Sequence, residues 1–112
     1  MLVYEINLEE NYPTSAEALD LLKEQINVAK VYNKKYVLVV HGYGSSGKGG
    51  IIRQKCRQWL FAQEKSKKIK AVVIGEDFGV CNEKARTIND KCKHELSKYY
   101  NQCNHGVTIV AL

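Results

Sequence analysis

His41 closes the apolar run Tyr36-Val37-Leu38-Val39-Val40 and is followed at once by Gly42-Tyr43-Gly44-Ser45-Ser46-Gly47-Lys48-Gly49-Gly50. An imidazole can take or give a proton near neutral pH. Glycines let backbone N–H groups turn onto a ligand, and Lys48 supplies a point charge. A buried strand, a glycine loop and a helix start, in that order, make an anion cradle. Five glycines in the nine positions from Gly42 to Gly50 exceed what a plain connection needs. Each adds unfolded-state entropy, which favours close backbone approach to a ligand. The alternative is a glycine-rich turn that merely joins strand to helix, with His41 as a hydrogen-bonded structural residue.

Two further patterns could hold chemistry. Gly42 to Lys48 matches G-x-x-x-x-G-K, the phosphate loop of nucleotide hydrolases. Gly49 stands where a Ser or Thr hydroxyl should reach Mg²⁺, so such a loop would cradle phosphate without completing the metal site. Val72 to Asp77 would then imitate the acidic second strand of those enzymes. Cys81, Cys92 and Cys103, with His94 and His105 each two residues after a cysteine, suggest metal, but no Cys-x2-Cys pair accompanies them. Cys81, Ala85, Ile88, Cys92, Leu96, Tyr99 and Cys103 instead step by four and three, one apolar stripe down a helix. No motif requires a cofactor or specifies a metal site; a divalent metal is compatible with the loop.

Charge is unevenly spread. The net charge is +5, yet residues 1 to 29 carry six acids and one base, Lys23, whereas residues 43 to 70 carry eight bases against Glu64 alone. A basic block beside a phosphate-type loop points to a polyanion, the plainer reading being a Lys-rich solvated helix face. A length of 112 residues predicts one domain, 1–112, able to bury its own core. No leader and no run of the ~20 apolar residues needed to span a bilayer is legible, so the expectation is a cytoplasmic protein with no membrane partner. Four cysteines there are expected to be reduced thiols.

The elements that must position these residues follow from periodicity. Leu2, Tyr4, Ile6 and Leu8 alternate as a half-buried strand, and Thr14 or Ser15 caps a helix running to about Val31 through Ala18, Leu22, Ile26 and Ala29. The strand ending at His41 comes next. From Ile51 a second helix turns Ile52, Cys56, Trp59 and Leu60 inward and Arg53, Gln54, Arg57 and Gln58 outward. Ile69 to Ile74 reads as a third strand, Asn82 as the cap of a third helix reaching about Asn101, and Val107 to Val110 as the last strand.

Val37-Leu38-Val39-Val40-His41-Gly42-Tyr43-Gly44, a basic amphipathic helix, and the terminal Gly106-Val107-Thr108-Ile109-Val110-Ala111-Leu112 together resemble the Smr (small MutS-related) domain. The H-G-x-G after a strand and the closing G-x-T-x-V-x-L each stand at the expected place. This resemblance implies an α/β two-layer sandwich, a four-stranded mixed sheet with helices on one face, similar to the C-terminal domain of translation initiation factor 3. It also implies binding of DNA or RNA, with His41, Gly42 and Gly44 at matching positions; some Smr domains nick DNA or cleave RNA, including messages on stalled ribosomes. Two departures stand out. The family's first-strand L-D-L-H-G falls on Ile6-Asn7-Leu8-Glu9-Glu10, so its acid, histidine and glycine are replaced, and Cys81 to Asn101 forms an inserted helix before the last strand.

Three readings follow. In a binding module, Gly42, Gly44, Gly47 and the helix start grip a phosphate, Lys48 adds charge, Arg53 and Arg57 contact flanking phosphates, and Tyr43 stacks on an unpaired base. In an endonuclease, His41 is general acid or base and Glu9 replaces the lost partner. In a ribosome- or protein-docking module, the inserted helix carries the contact through Lys91, Lys93 and Lys98.

Overall fold

A computed structural model describes residues 1–10, 13–42 and 48–112. Four strands, β1 (Val3–Asn7), β2 (Tyr36–Val40), β3 (Ala71–Ile74) and β4 (Val107–Ala111), form one mixed sheet in the order β1-β2-β4-β3. β1 runs parallel to β2, while β4 is antiparallel to both β2 and β3. The period-2 alternation of strands sorts the core into two faces. Val37, Val39, Val72 and Val110 point to one, with Leu22, Ile26, Cys56 and Leu60 from α1 (Ser15–Val31) and α2 (Lys48–Lys65). Leu38, Val73 and Ile109 point to the other, under Ala85 and Ile88 of α3 (Glu83–Lys91), Cys92 and Leu96.

α1 begins as its composition demands. Thr14 accepts from the Glu17 backbone N–H at 3.2 Å while the Glu17 carboxylate accepts from the Thr14 N–H at 3.1 Å, a reciprocal capping box. α2 begins at Lys48 rather than at Ile51, so Gly49 and Gly50 belong to its first turn and the connection from β2 is shorter than the glycine content implies.

The inserted segment differs more. Its helix ends at Lys91, ten residues short of the expected Asn101, and Lys93 and His94 take left-handed φ of 55° and 63°. Thr87, Asn89 and Asp90 are weak helix formers, and the turn brings Glu95 to the start of β1. There its carboxylate accepts from the Leu2 N–H at 2.9 Å and the Val3 N–H at 3.0 Å. Buried Ala85, Ile88, Cys92 and Leu96 are the true extent of the apolar stripe; Cys81 and Cys103 are exposed. This segment therefore covers the face of the sheet opposite α1 and α2. All four cysteines are free, and among the described residues no three His, Cys, Asp or Glu side chains are grouped to hold a metal ion. No helix is long and apolar enough to cross a membrane.

Candidate nucleic-acid interface

The C-terminal end of β2 delivers His41 and Gly42 to the edge of the α1/α2 face. The ladder with β4 continues past the strand, since the His41 and Gly42 N–H groups both donate to the Gly106 carbonyl at 3.0 Å. The His41 side chain shares the inward parity of Val37 and Val39 and is 2% exposed. Its Nδ1 lies 3.0 Å from the Gly42 carbonyl and its Nε2 2.9 Å from the Thr108 hydroxyl. A carbonyl only accepts, so Nδ1 carries the proton and Nε2 accepts from Thr108. The same hydroxyl oxygen accepts from Arg57 Nε at 2.9 Å.

Arg57 in turn makes a fork to Glu76, Nη1 to Oε2 at 2.8 Å and Nη2 to Oε1 at 2.6 Å, and donates to the Val107 carbonyl at 3.0 Å. Four of its five N–H donors are thus used within the fold. Arg57, expected on the outer helix face against flanking phosphates, is turned inward, because Thr108 offers it a polar partner on an otherwise apolar strand. A continuous relay runs from Glu76 through Arg57, Thr108 and His41 to Gly42. Its electrostatics follow from burial. Desolvation drives the His41 pKa from 6.5 down to about 4; the hydrogen bond to Gly42 opposes this, the charges of Arg57 and Arg53 assist it, and Glu76 opposes it. Desolvation pushes Glu76 upward, but the Arg57 hydrogen bond, its own backbone N–H and the charges of Arg57 and His105 outweigh it, and its pKa falls to about 2.

Gly42 has φ of +81°, a left-handed conformation, and a Cβ added there would lie 3.1 Å from the Glu9 carboxylate. Parallel pairing of β1 with β2, in register Asn7↔Val40, brings Glu9 over the start of the loop. Glu9 therefore stands beside Gly42, while the carboxylate whose charge acts on His41 is Glu76. Gly42→Ala is expected to cost about 1–2 kcal/mol of stability from backbone strain alone. Urea unfolding measures it, and an unchanged midpoint would show that the left-handed conformation is dispensable.

Of the remaining expected site residues, Tyr43, Gly44 and Gly47 lie outside the described residues. Lys48 opens α2, and its side chain lies outside them too. Arg53, one turn along, is half-buried and near enough for its charge to act on His41. Residue types alone did not single out Glu76 and Thr108 as partners. The available signals were a hydroxyl inside the apolar strand Val107–Ala111 and an acid just after Gly75 at the end of β3.

A mixed four-stranded sheet with His41 and Gly42 at the end of a central strand, ahead of a helix rich in basic residues, defines the class of α/β domain to which the chain is to be compared. The chain belongs to the Smr domain family, whose model matches residues 11–76. The match ends at Glu76, before the inserted segment. The fold is similar to the crystal structure of the Smr domain of Thermus thermophilus MutS2, with a TM-score of 0.58 and 22% sequence identity over 96% of this chain and 95% of that one. No curated protein matches.

Proposed function

We propose that this chain is a nucleic-acid-binding module that grips backbone phosphates with the loop from Gly42 to Lys48 and the first turns of α2. Family membership supports the kind of partner, since Smr domains generally bind nucleic acids. The observation that carries the reading is Gly42 held at φ of +81° by the His41 relay, just before the N-terminus of an 18-residue helix. Helix N-termini favour anions, and the exposed Lys55 and Lys65 extend positive charge along α2. In this reading His41 is a positioning residue, and an unpaired base stacks on Tyr43.

Lys48→Ala combined with Arg53→Ala tests the surface. Affinity for labelled single- and double-stranded RNA and DNA is expected to fall about tenfold or more, and the salt slope to shrink by about 1–2. Unchanged affinity and slope would move the binding surface elsewhere. The endonuclease reading draws on Glu9 lying against Gly42, which puts an acid at the same end of the sheet as His41. It requires His41 to leave both hydrogen bonds and to titrate near neutrality, and burial opposes both. Cleavage of those strands in the presence of Mg²⁺ or Mn²⁺, abolished by His41→Ala in a folded variant, would favour the nuclease over pure binding.

A further inference from the structure

Beyond the relay, Glu76 has a second partner. Its Oε2 lies 3.3 Å from Nδ1 of His105, and Nε2 of the same ring lies 4.0 Å from Sγ of Cys103. Thiol, imidazole and carboxylate thus stand in line, the order found wherever a base is oriented by an acid and faces a nucleophile. A carboxylate beside Nδ1 holds the proton there and leaves the Nε2 lone pair toward the sulfur.

The alignment is built into the fold on both sides. Arg57 pins Glu76 by its two-pronged contact. The segment carrying Cys103 and His105 is fastened to the connection after β3: the Asn101 N–H donates to the Phe78 carbonyl at 2.8 Å, and the Asn101 side chain accepts from the Val80 N–H at 2.8 Å. Gly75 lets the same segment close in, since a Cβ there would stand 2.0 Å from the Asn104 carbonyl oxygen. Cys103 itself is held at φ of +50°, an uncommon conformation for a residue with a side chain. Its thiol is exposed and lines a depression of about 480 Å³ together with Glu76, Asp77, Phe78 and Cys81.

We propose that Cys103, His105 and Glu76 form a nucleophilic thiol site that reacts with small disulfides of neutral or positive charge. His105 Nε2 takes the thiol proton and the Cys103 thiolate attacks one sulfur of the disulfide. A Cys103–sulfur bond forms, the disulfide bond breaks, and the departing thiolate takes the proton back from the imidazolium. Two electrons move from the protein sulfur to the leaving sulfur, and no other reactant is needed. Selectivity for charge comes from Asp77, an exposed carboxylate that borders the depression beside the Arg57-paired Glu76 and repels anionic disulfides.

The protein carries its own controls. Cys81 opens onto the same depression with no imidazole within hydrogen-bond distance among the described residues, and Cys56 and Cys92 are buried. Dithiodipyridine, a neutral disulfide, is added to the full chain at neutral pH and each modified cysteine is followed by peptide mass mapping. Cys103 is expected to react roughly tenfold faster than Cys81. His105→Gln should bring the Cys103 rate down to that of Cys81 and leave Cys81 unchanged. Silence at Cys56 and Cys92 certifies that the variant is folded; if they react, the comparison of Cys103 with Cys81 in the unaltered chain decides alone. Equal rates there, or a Cys103 rate indifferent to His105→Gln in a folded variant, would overturn the proposal.

Discussion

Arg57→Ala is expected to cost about 3–5 kcal/mol, the range for removing one partner of a buried, hydrogen-bonded ion pair. The pair is well withdrawn from water, with side-chain exposures of 13% for Arg57 and 19% for Glu76. Truncation strands the Glu76 carboxylate with His105 alone, and it leaves the Thr108 hydroxyl and the Val107 carbonyl without their guanidinium donor. Glu76→Gln should cost less: it leaves the Arg57 cation without its counter-charge, but the amide oxygen still accepts one hydrogen bond and the guanidinium keeps the Thr108 hydroxyl and the Val107 carbonyl as acceptors. Urea unfolding of both single variants and the double variant gives the coupling directly. A loss below about 1 kcal/mol for Arg57→Ala would reduce the contact to an ordinary screened surface pair. The functional reading would suffer with it, because the relay would no longer hold Gly42 in place.

Stability is expected to fall steeply as the solution is acidified, in two stages. Native His41 stays neutral until about pH 4, whereas the unfolded imidazole takes its proton near 6.5. The unfolded chain therefore binds the proton first, so this contribution is complete above pH 6.5 and is lost on the way down to 4, a change of about 3 kcal/mol. Glu76 acts in a lower window. Its carboxyl group titrates near 4.5 when unfolded and near 2 when folded, so its contribution is complete above pH 4.5 and is lost toward 2. Discounted for partial exposure, that adds about 2 kcal/mol. Denaturant melts at pH 7, 5.5 and 4 measure the first stage. His41→Asn keeps a donor near the Nδ1 position and removes the titrating ring, so its stability should vary less over that interval. A wild-type protein equally stable at pH 7 and pH 4 would show that the ring is not kept neutral by burial.

Much of the scaffold was legible because its signals are local. The Thr14–Glu17 cap, the four-residue steps of α1 and the β-branched runs of β2 and β4 each depend on neighbours within a turn or along one strand. The third helix ends early, at Lys91, for the opposite reason. Its apolar stripe from Ala85 to Leu96 is genuine, but Glu95 is drawn to the N–H groups of Leu2 and Val3, more than ninety residues away in sequence. The chain turns after Lys91 to reach them, and periodicity alone holds no trace of that attraction.

The same division runs through the candidate site. By itself, the order of residues determined a histidine at the end of a buried strand, a glycine loop after it and a basic helix beyond, because chain neighbours remain neighbours in any fold. Only the tertiary structure decided what those residues meet. Antiparallel pairing of β4 with β2 sets Thr108 beside Val39 and within reach of His41, and the packing of α2 on the sheet swings Arg57 inward to meet Glu76. Burial then pushes the His41 pKa down to about 4. What the sequence presents as a histidine after an apolar strand stands, in the fold, as a buried link between Thr108 and Gly42, because each ring nitrogen finds a partner there.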